Sequence, residues 1–114
     1  MKGLPTLLKR RDERGRIELD IEVPADSRWF DGHFPGFAIL PGVVQIGWAA
    51  HFSHTLCNQG PGISGMEHVK FKRPILPGVR LILSLKPEAG RIRYEFREGD
   101  ETCSSGVLLY GAEG

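Results

Sequence analysis

The sequence is short of most features that would place it in a specialised class. Its two cysteines, Cys57 and Cys103, form no C-x-x-C pair and have no metal-ligand spacing, so neither a disulfide scaffold nor a zinc framework is expected. Buried, reduced thiols are the simpler expectation. No run approaches the roughly 18 apolar residues that a membrane span needs, and no N-terminal signal is recognisable. A soluble, cytoplasmic protein is expected. The formal net charge of +1 lacks the basic excess of a general nucleic-acid binder, and there is no internal repeat or low-complexity segment.

What is present fits one ordinary globular domain over 1–114, with 40% hydrophobic and 25% charged residues. At 114 residues the core is adequate but not generous, so association with a second copy is expected. Lys2, Lys9, Arg10, Arg11, Arg14 and Arg16 make the N-terminus basic, and Asp12, Glu13 and Gly15 interrupt them in the manner of a turn with a solvated face. From Ile17 the chain alternates strictly: Ile17, Leu19, Ile21 and Val23 are apolar, and Glu18, Asp20 and Glu22 are polar. That predicts a strand with one wet face, stopped by Pro24.

A Gly- and Pro-rich turn follows, from Trp29 through His33, and leads to Pro41 and Gly42. Pro is tolerated at a helix start because its missing N–H would have no intrahelical partner. Beyond it Val43, Val44, Ile46, Trp48, Ala49, Ala50, Phe52 and Leu56 are too continuous for a surface helix and too long for one strand. They predict a helix buried on most sides, ended by Asn58, Gly60, Pro61 and Gly62. Alternation then returns around Val69 and Phe71, over Val79 to Leu85, and over Ile92 to Phe96. Gly99 and Asp100 form a hairpin turn before a last strand of about Thr102 to Tyr110. The fold class is α+β, an antiparallel sheet packed on one helix.

Two motifs give the chain a likeness. The first is Phe30 to Gly36, with Gly32-His33-Phe34-Pro35-Gly36 inside it, followed by Pro41-Gly42-Val43; the second is Phe71-Lys72-Arg73-Pro74-Ile75-Leu76-Pro77-Gly78. With both in order around the right elements, residues 17 to 110 resemble the hotdog-fold (R)-3-hydroxyacyl-carrier-protein dehydratases. In these a sheet wraps a central helix and two subunits pair. The Val43-Val44-Gln45 helix start with Trp48 most resembles the small dehydratase-like proteins of aryl-polyene and related lipid pathways.

The resemblance implies elimination of water from a 3-hydroxyacyl thioester in fatty acid or polyene lipid biosynthesis. That reaction needs a base for the proton beside the carbonyl, a donor for negative charge on the thioester oxygen, and an acid for the departing hydroxyl. His33 suits the first role, because neutral imidazole accepts a proton at cell pH. In the family this histidine is the base, steadied by the carbonyl six residues later, here Ile39. Gly42 suits the second role. Helix-start N–H groups have no intrahelical partner, lie at the positive end of the dipole, and without a Cβ can be closely approached. The family uses this N–H as the oxyanion donor.

The third role departs from the pattern. The family carries Glu or Asp in the central helix at the position of Gly47, which has nothing to donate. His51, one turn further on the same helix face, Asp31 and Glu67 are conceivable substitutes, and spacing marks out none of them. The likeness implies an acidic acyl carrier protein with a phosphopantetheine-linked chain as partner. Lys70, Lys72, Arg73 and Arg80 are candidates for docking it, and Phe34, Phe37, Ile39, Leu40, Val43 and Trp48 for contact with the acyl chain. No cofactor is called for, and no metal, since the histidine spacings lack an H-E-x-x-H pattern. The alternatives are a binding subunit that works with an active homologue and, third, a hotdog thioesterase.

Overall fold

The computed structural model describes residues 3–25, 39–59 and 62–110. Strands β1 (Thr6–Glu13) and β2 (Arg16–Glu22) come first, then helix α1 (Gly42–Leu56). Strands β3 (Gly65–Phe71), β4 (Arg80–Glu88), β5 (Arg91–Glu98) and β6 (Glu101–Leu109) follow. All six strands form one antiparallel sheet in the order β1-β2-β4-β5-β6-β3.

The alternation in β2 sets the sheet's inner face. Leu19 and Ile21 are fully buried while Glu18, Asp20 and Glu22 face outward, and β4 and β5 repeat the pattern with Leu81, Leu83 and Leu85 and with Ile92, Tyr94 and Phe96. Register joins these residues into rows. Leu19 lies opposite Leu83, Leu83 opposite Phe96, Phe96 opposite Ser104, and Ser104 opposite Phe71. This row crosses from β2 to the edge strand β3 on the inner face. Trp48, Ala49 and Phe52 of α1 complete the core above it.

One element differs from the sequence reading. The basic N-terminal stretch is strand β1, and the expected turn is confined to Arg14 and Gly15, both with positive φ, as a two-residue antiparallel hairpin requires. Its residues do not alternate in burial because β1 is an edge strand with a partner on one side. Charged side chains are what such an edge carries, and Arg11 pairs with Asp20 of β2 at 2.8 Å. The other edge, β3, carries a bulge at His68, whose φ is 55°.

Cys103 is buried and Cys57 half-buried at the end of α1; neither is in a disulfide, and burial pushes both thiols up. No described helix is long and apolar enough to cross a membrane.

Candidate functional site

The segment Ile39 to Gly42 reaches the helix against the β3–β4 connection. The Leu40 N–H donates to the Ile75 carbonyl at 2.8 Å. Pro41 is the extended N-cap, with φ −60° and ψ 145°, and Gly42 begins the helix. The Val44 and Gln45 amides both turn back to the Pro41 carbonyl, at 3.1 and 3.2 Å. The Gly42 N–H has no hydrogen-bond partner among the described residues, as the first amide of a helix should. It lies at the positive end of a 15-residue helix with no acidic residue in its first turn to neutralise it.

A cavity of about 360 Å³ opens at this helix start. Ile39, Leu40, Gly42 and Gln45 line one side; Phe71, Lys72 and Arg73 line the other. The half-exposed Phe71 ring lies directly on Gly42, where an added Cβ would stand 2.7 Å from its Cζ. The first and second sequence motifs therefore meet at one place, because the register of β3 with β6 brings Phe71 under the helix entry. A side chain at 42 would have to displace the Phe71 ring.

The other sequence candidates are distributed as follows. His33, Phe34, Phe37 and Asp31 lie outside the described residues. Val43 points away from the cavity and is 76% exposed, whereas Trp48 is fully buried and donates its indole N–H to the Gly3 carbonyl at 2.9 Å. Lys72 and Arg73 stand on the cavity rim, Arg73 in an ion pair with Glu101. Lys70, on β3, lines a different hollow beside His68 and Arg93, and Arg80, on β4, a third beside Asp20 of β2, with β5 and β6 between β3 and β4. The four cations do not form one cluster.

Nothing described stands in for the missing acid. Gly47 has open space beside it, with no atom within 4 Å of an added Cβ. Burial holds the His51 imidazole below its ordinary pKa. Glu67 pairs with Arg91 at 3.6 Å. The open space at Gly47 carries a prediction for stability. Gly47→Ala is expected to stabilise the fold by about 1 kcal/mol, the helix-propensity difference, read as a higher urea midpoint; an unchanged or lower midpoint would show that the space is occupied.

Two residues that the motif reading did not single out complete the site. Gln45, 3% exposed, donates from Nε2 to the Leu40 carbonyl at 3.0 Å, and its Oε1 accepts from Ser104 Oγ at 2.6 Å. Gln45 was visible only as one letter of the helix-start motif. Ser104 had no signal, since only strand register shows that it faces inward.

Comparison with known proteins agrees with this geometry. The family model of ApeI-like proteins, described as ApeI dehydratase, matches residues 9–107. The 3-hydroxyacyl-[acyl-carrier-protein] dehydratase FabZ of Erythrobacter litoralis is 35% identical over 100 residues, covering 79% of this chain and 66% of the relative. FabZ of a Hydrogenobaculum species is 32% identical over 95 residues, covering 75% and 64%. The chain thus spans slightly less than two thirds of the length of these curated relatives. Among solved structures, the dehydratase heterocomplex ApeI:P from Xenorhabdus doucetiae superposes with a TM-score of 0.86 at 30% identity, covering 95% of this chain and 98% of that one. The six-stranded antiparallel sheet on one helix is accordingly a hotdog fold. With the family model matching residues 9–107, nearly the whole described sheet and helix, the chain belongs to the ApeI-like dehydratase family.

Proposed function

We propose that the chain is an (R)-3-hydroxyacyl-acyl-carrier-protein dehydratase, which eliminates water from a 3-hydroxyacyl thioester to give the trans-2-enoyl thioester. The observation that carries this reading is the unpartnered Gly42 N–H at the start of α1, on the wall of a cavity rimmed by Lys72 and Arg73. Such a donor suits a thioester oxygen as it gains negative charge. His33 of the G-H-F-P-G motif removes the proton beside the carbonyl. The two rim cations suit the phosphate of a phosphopantetheine arm and an acidic carrier protein.

With glycine at 47, the proton balance closes through one residue. His33 takes the proton from carbon, the thioester oxygen holds the charge against Gly42, and the C–O bond breaks as the resulting imidazolium returns the proton to the departing hydroxyl as water. Departure on the same face as proton removal, a syn elimination, follows from one group doing both. The enzyme works as a dimer, with a second copy or a related hotdog chain. Exposed Val43, Met66 and Phe71 and the free edge of β3 support this, and the Xenorhabdus doucetiae neighbour is itself a heterocomplex.

The test is turnover of a medium-chain 3-hydroxyacyl carrier protein by the purified chain, followed from both directions. The enoyl thioester is the expected product, and kcat/KM should rise with pH in a single step as one base loses its proton, and then stay level. Gly47→Glu adds a second titrating group and should turn the profile into a bell. An inert wild type that gains activity with Gly47→Glu would instead make the natural chain a binding subunit, and release of free acid and thiol would make it a thioesterase.

A further inference from the structure

We infer that Gln45 is a positioning residue for this site, locked in place by Ser104: it sets the backbone that presents the Ile39 carbonyl and the Gly42 N–H. The inference rests on the dehydratase reading. Neither side chain is accounted for by the proton transfers of the elimination. Both are buried in a core that is otherwise almost wholly apolar, where an amide and a hydroxyl are costly unless fully bonded. A methionine would fill the Gln45 position without that cost. What the pair holds is therefore informative.

The bonding pattern admits one arrangement. A carbonyl only accepts, so the Leu40 oxygen requires Nε2 of Gln45 to face it, and this turns Oε1 toward Ser104. Ser104 Oγ must then donate, and the amide is held at both ends. Ser104 sits in a sheet row, opposite Phe96 on one side and Phe71 on the other, so its hydroxyl is carried by a strand that is paired on both sides. The link runs from sheet to helix to entry loop.

Its effect falls on the functional atoms. Leu40 is pinned on both sides, its N–H to Ile75 and its carbonyl to Gln45, and Gln45 also bonds Pro41 through its own backbone N–H. The Ile39 carbonyl, which is to steady His33, lies immediately before the pinned residue. The Gly42 N–H, which is to receive the oxyanion, lies two residues after it. Without the Gln45 amide, the Leu40 carbonyl loses that tether and the Leu40–Pro41 peptide plane can tilt. This plane is the hinge between the Ile39–Leu40 peptide, held by the Leu40 N–H, and the Pro41–Gly42 peptide, so the tilt changes where the Gly42 N–H stands relative to the Ile39 carbonyl. A displacement of an ångström at such a donor is enough to slow the chemical step while leaving binding nearly intact.

The test compares wild type, Gln45→Met, Ser104→Ala and the double variant, measuring kcat, KM and the melting temperature. Gln45→Met should lower kcat roughly ten- to a hundredfold with little change in KM, and Ser104→Ala should lower it less. The double variant should be no slower than Gln45→Met, because Ser104 acts only through the amide. In Gln45→Glu only the protonated acid can donate to Leu40, so activity relative to wild type should recover as pH falls; a simple packing defect would give no such trend. A Gln45→Met variant with wild-type kcat, or losses that multiply in the double variant, would overturn the inference. Amide hydrogen exchange separates this from failure of the dehydratase reading. Even if the wild type turned nothing over, the Leu40 N–H should exchange faster in Gln45→Met while the amides of β4 do not, and unchanged exchange at Leu40 would refute the positioning role.

Discussion

His33→Ala is expected to cut kcat for dehydration by about 10²–10⁴, the span that a positioned general base contributes. The loss should be large because one imidazole serves both proton transfers in the proposed mechanism. In a relative with a helix carboxylate, half of that work would survive the substitution. In this chain Gly47 provides no side-chain acid at that position of the central helix. The variant and wild type would be compared in single-turnover assays, with urea midpoints as the control for folding. Residual activity above about a tenth of wild type, well short of the loss a general base should produce, would remove His33 from the mechanism. The contrast with Gln45→Met is informative too. A base deletion should leave no pH-dependent limb in the imidazole range, whereas a positioning defect should keep the limb and lower its plateau.

Trp48→Ala should destabilise the fold by about 3–5 kcal/mol, the usual cost of emptying a large buried site. Among the described residues Trp48 is the largest fully buried side chain, and it sits at the centre of α1, facing the sheet. It also ties Gly3 to the helix, since its indole N–H donates to the Gly3 carbonyl. Deletion therefore combines a cavity with loss of a hydrogen bond that ties an N-terminal segment to the helix. Against a total stability of about 5–15 kcal/mol for a domain of this kind, that is enough to leave the variant partly unfolded at ambient temperature. Trp48→Phe keeps most of the volume and loses only the indole donor, so about 1–2 kcal/mol is expected. Urea denaturation at matched protein concentration reads both, and a Trp48→Ala cost near 1 kcal/mol, well below the usual range, would show that the core collapses around the site. This residue was a candidate for acyl contact from sequence. Its complete burial away from the cavity gives it an evident structural task.

Most of the architecture was legible because its signals are local. Strict alternation from Ile17 to Val23 reports a half-buried strand wherever the partner lies. The apolar run after Gly42 reports a helix, but burial on most sides does not hold within this one chain: α1 buries one face, through Val44, Gln45, Trp48, Ala49, Phe52 and Ser53, and leaves Val43 exposed, because the sheet covers only that face. Turn chemistry marked the hairpin at Gly99 and Asp100 in the same way. The missing strand, Thr6–Glu13, had no such signal. Its stability comes from hydrogen bonds to β2 and from cross-strand ion pairs such as Arg11 with Asp20, both of which depend on a neighbouring strand rather than on its own pattern.

The site divides along the same line. By itself the sequence determined the chemical types: an imidazole in a Gly- and Pro-rich turn, a glycine at a helix start, a basic second motif, and a glycine at 47, where the resemblance alone implied a carboxylate. Those are properties of residue identity and spacing, and covalent order is sufficient to state them. Only the tertiary structure decided which groups share a wall. It brought Phe71, Lys72 and Arg73 to Gly42, separated Lys70 and Arg80 from them, took Trp48 into the core, and joined Ser104 to Gln45 across 59 residues of chain. The physical reason is that these contacts are fixed by strand register and by the position of the helix over the sheet. Both are set by the packing of the whole core, and no short stretch of the chain records them.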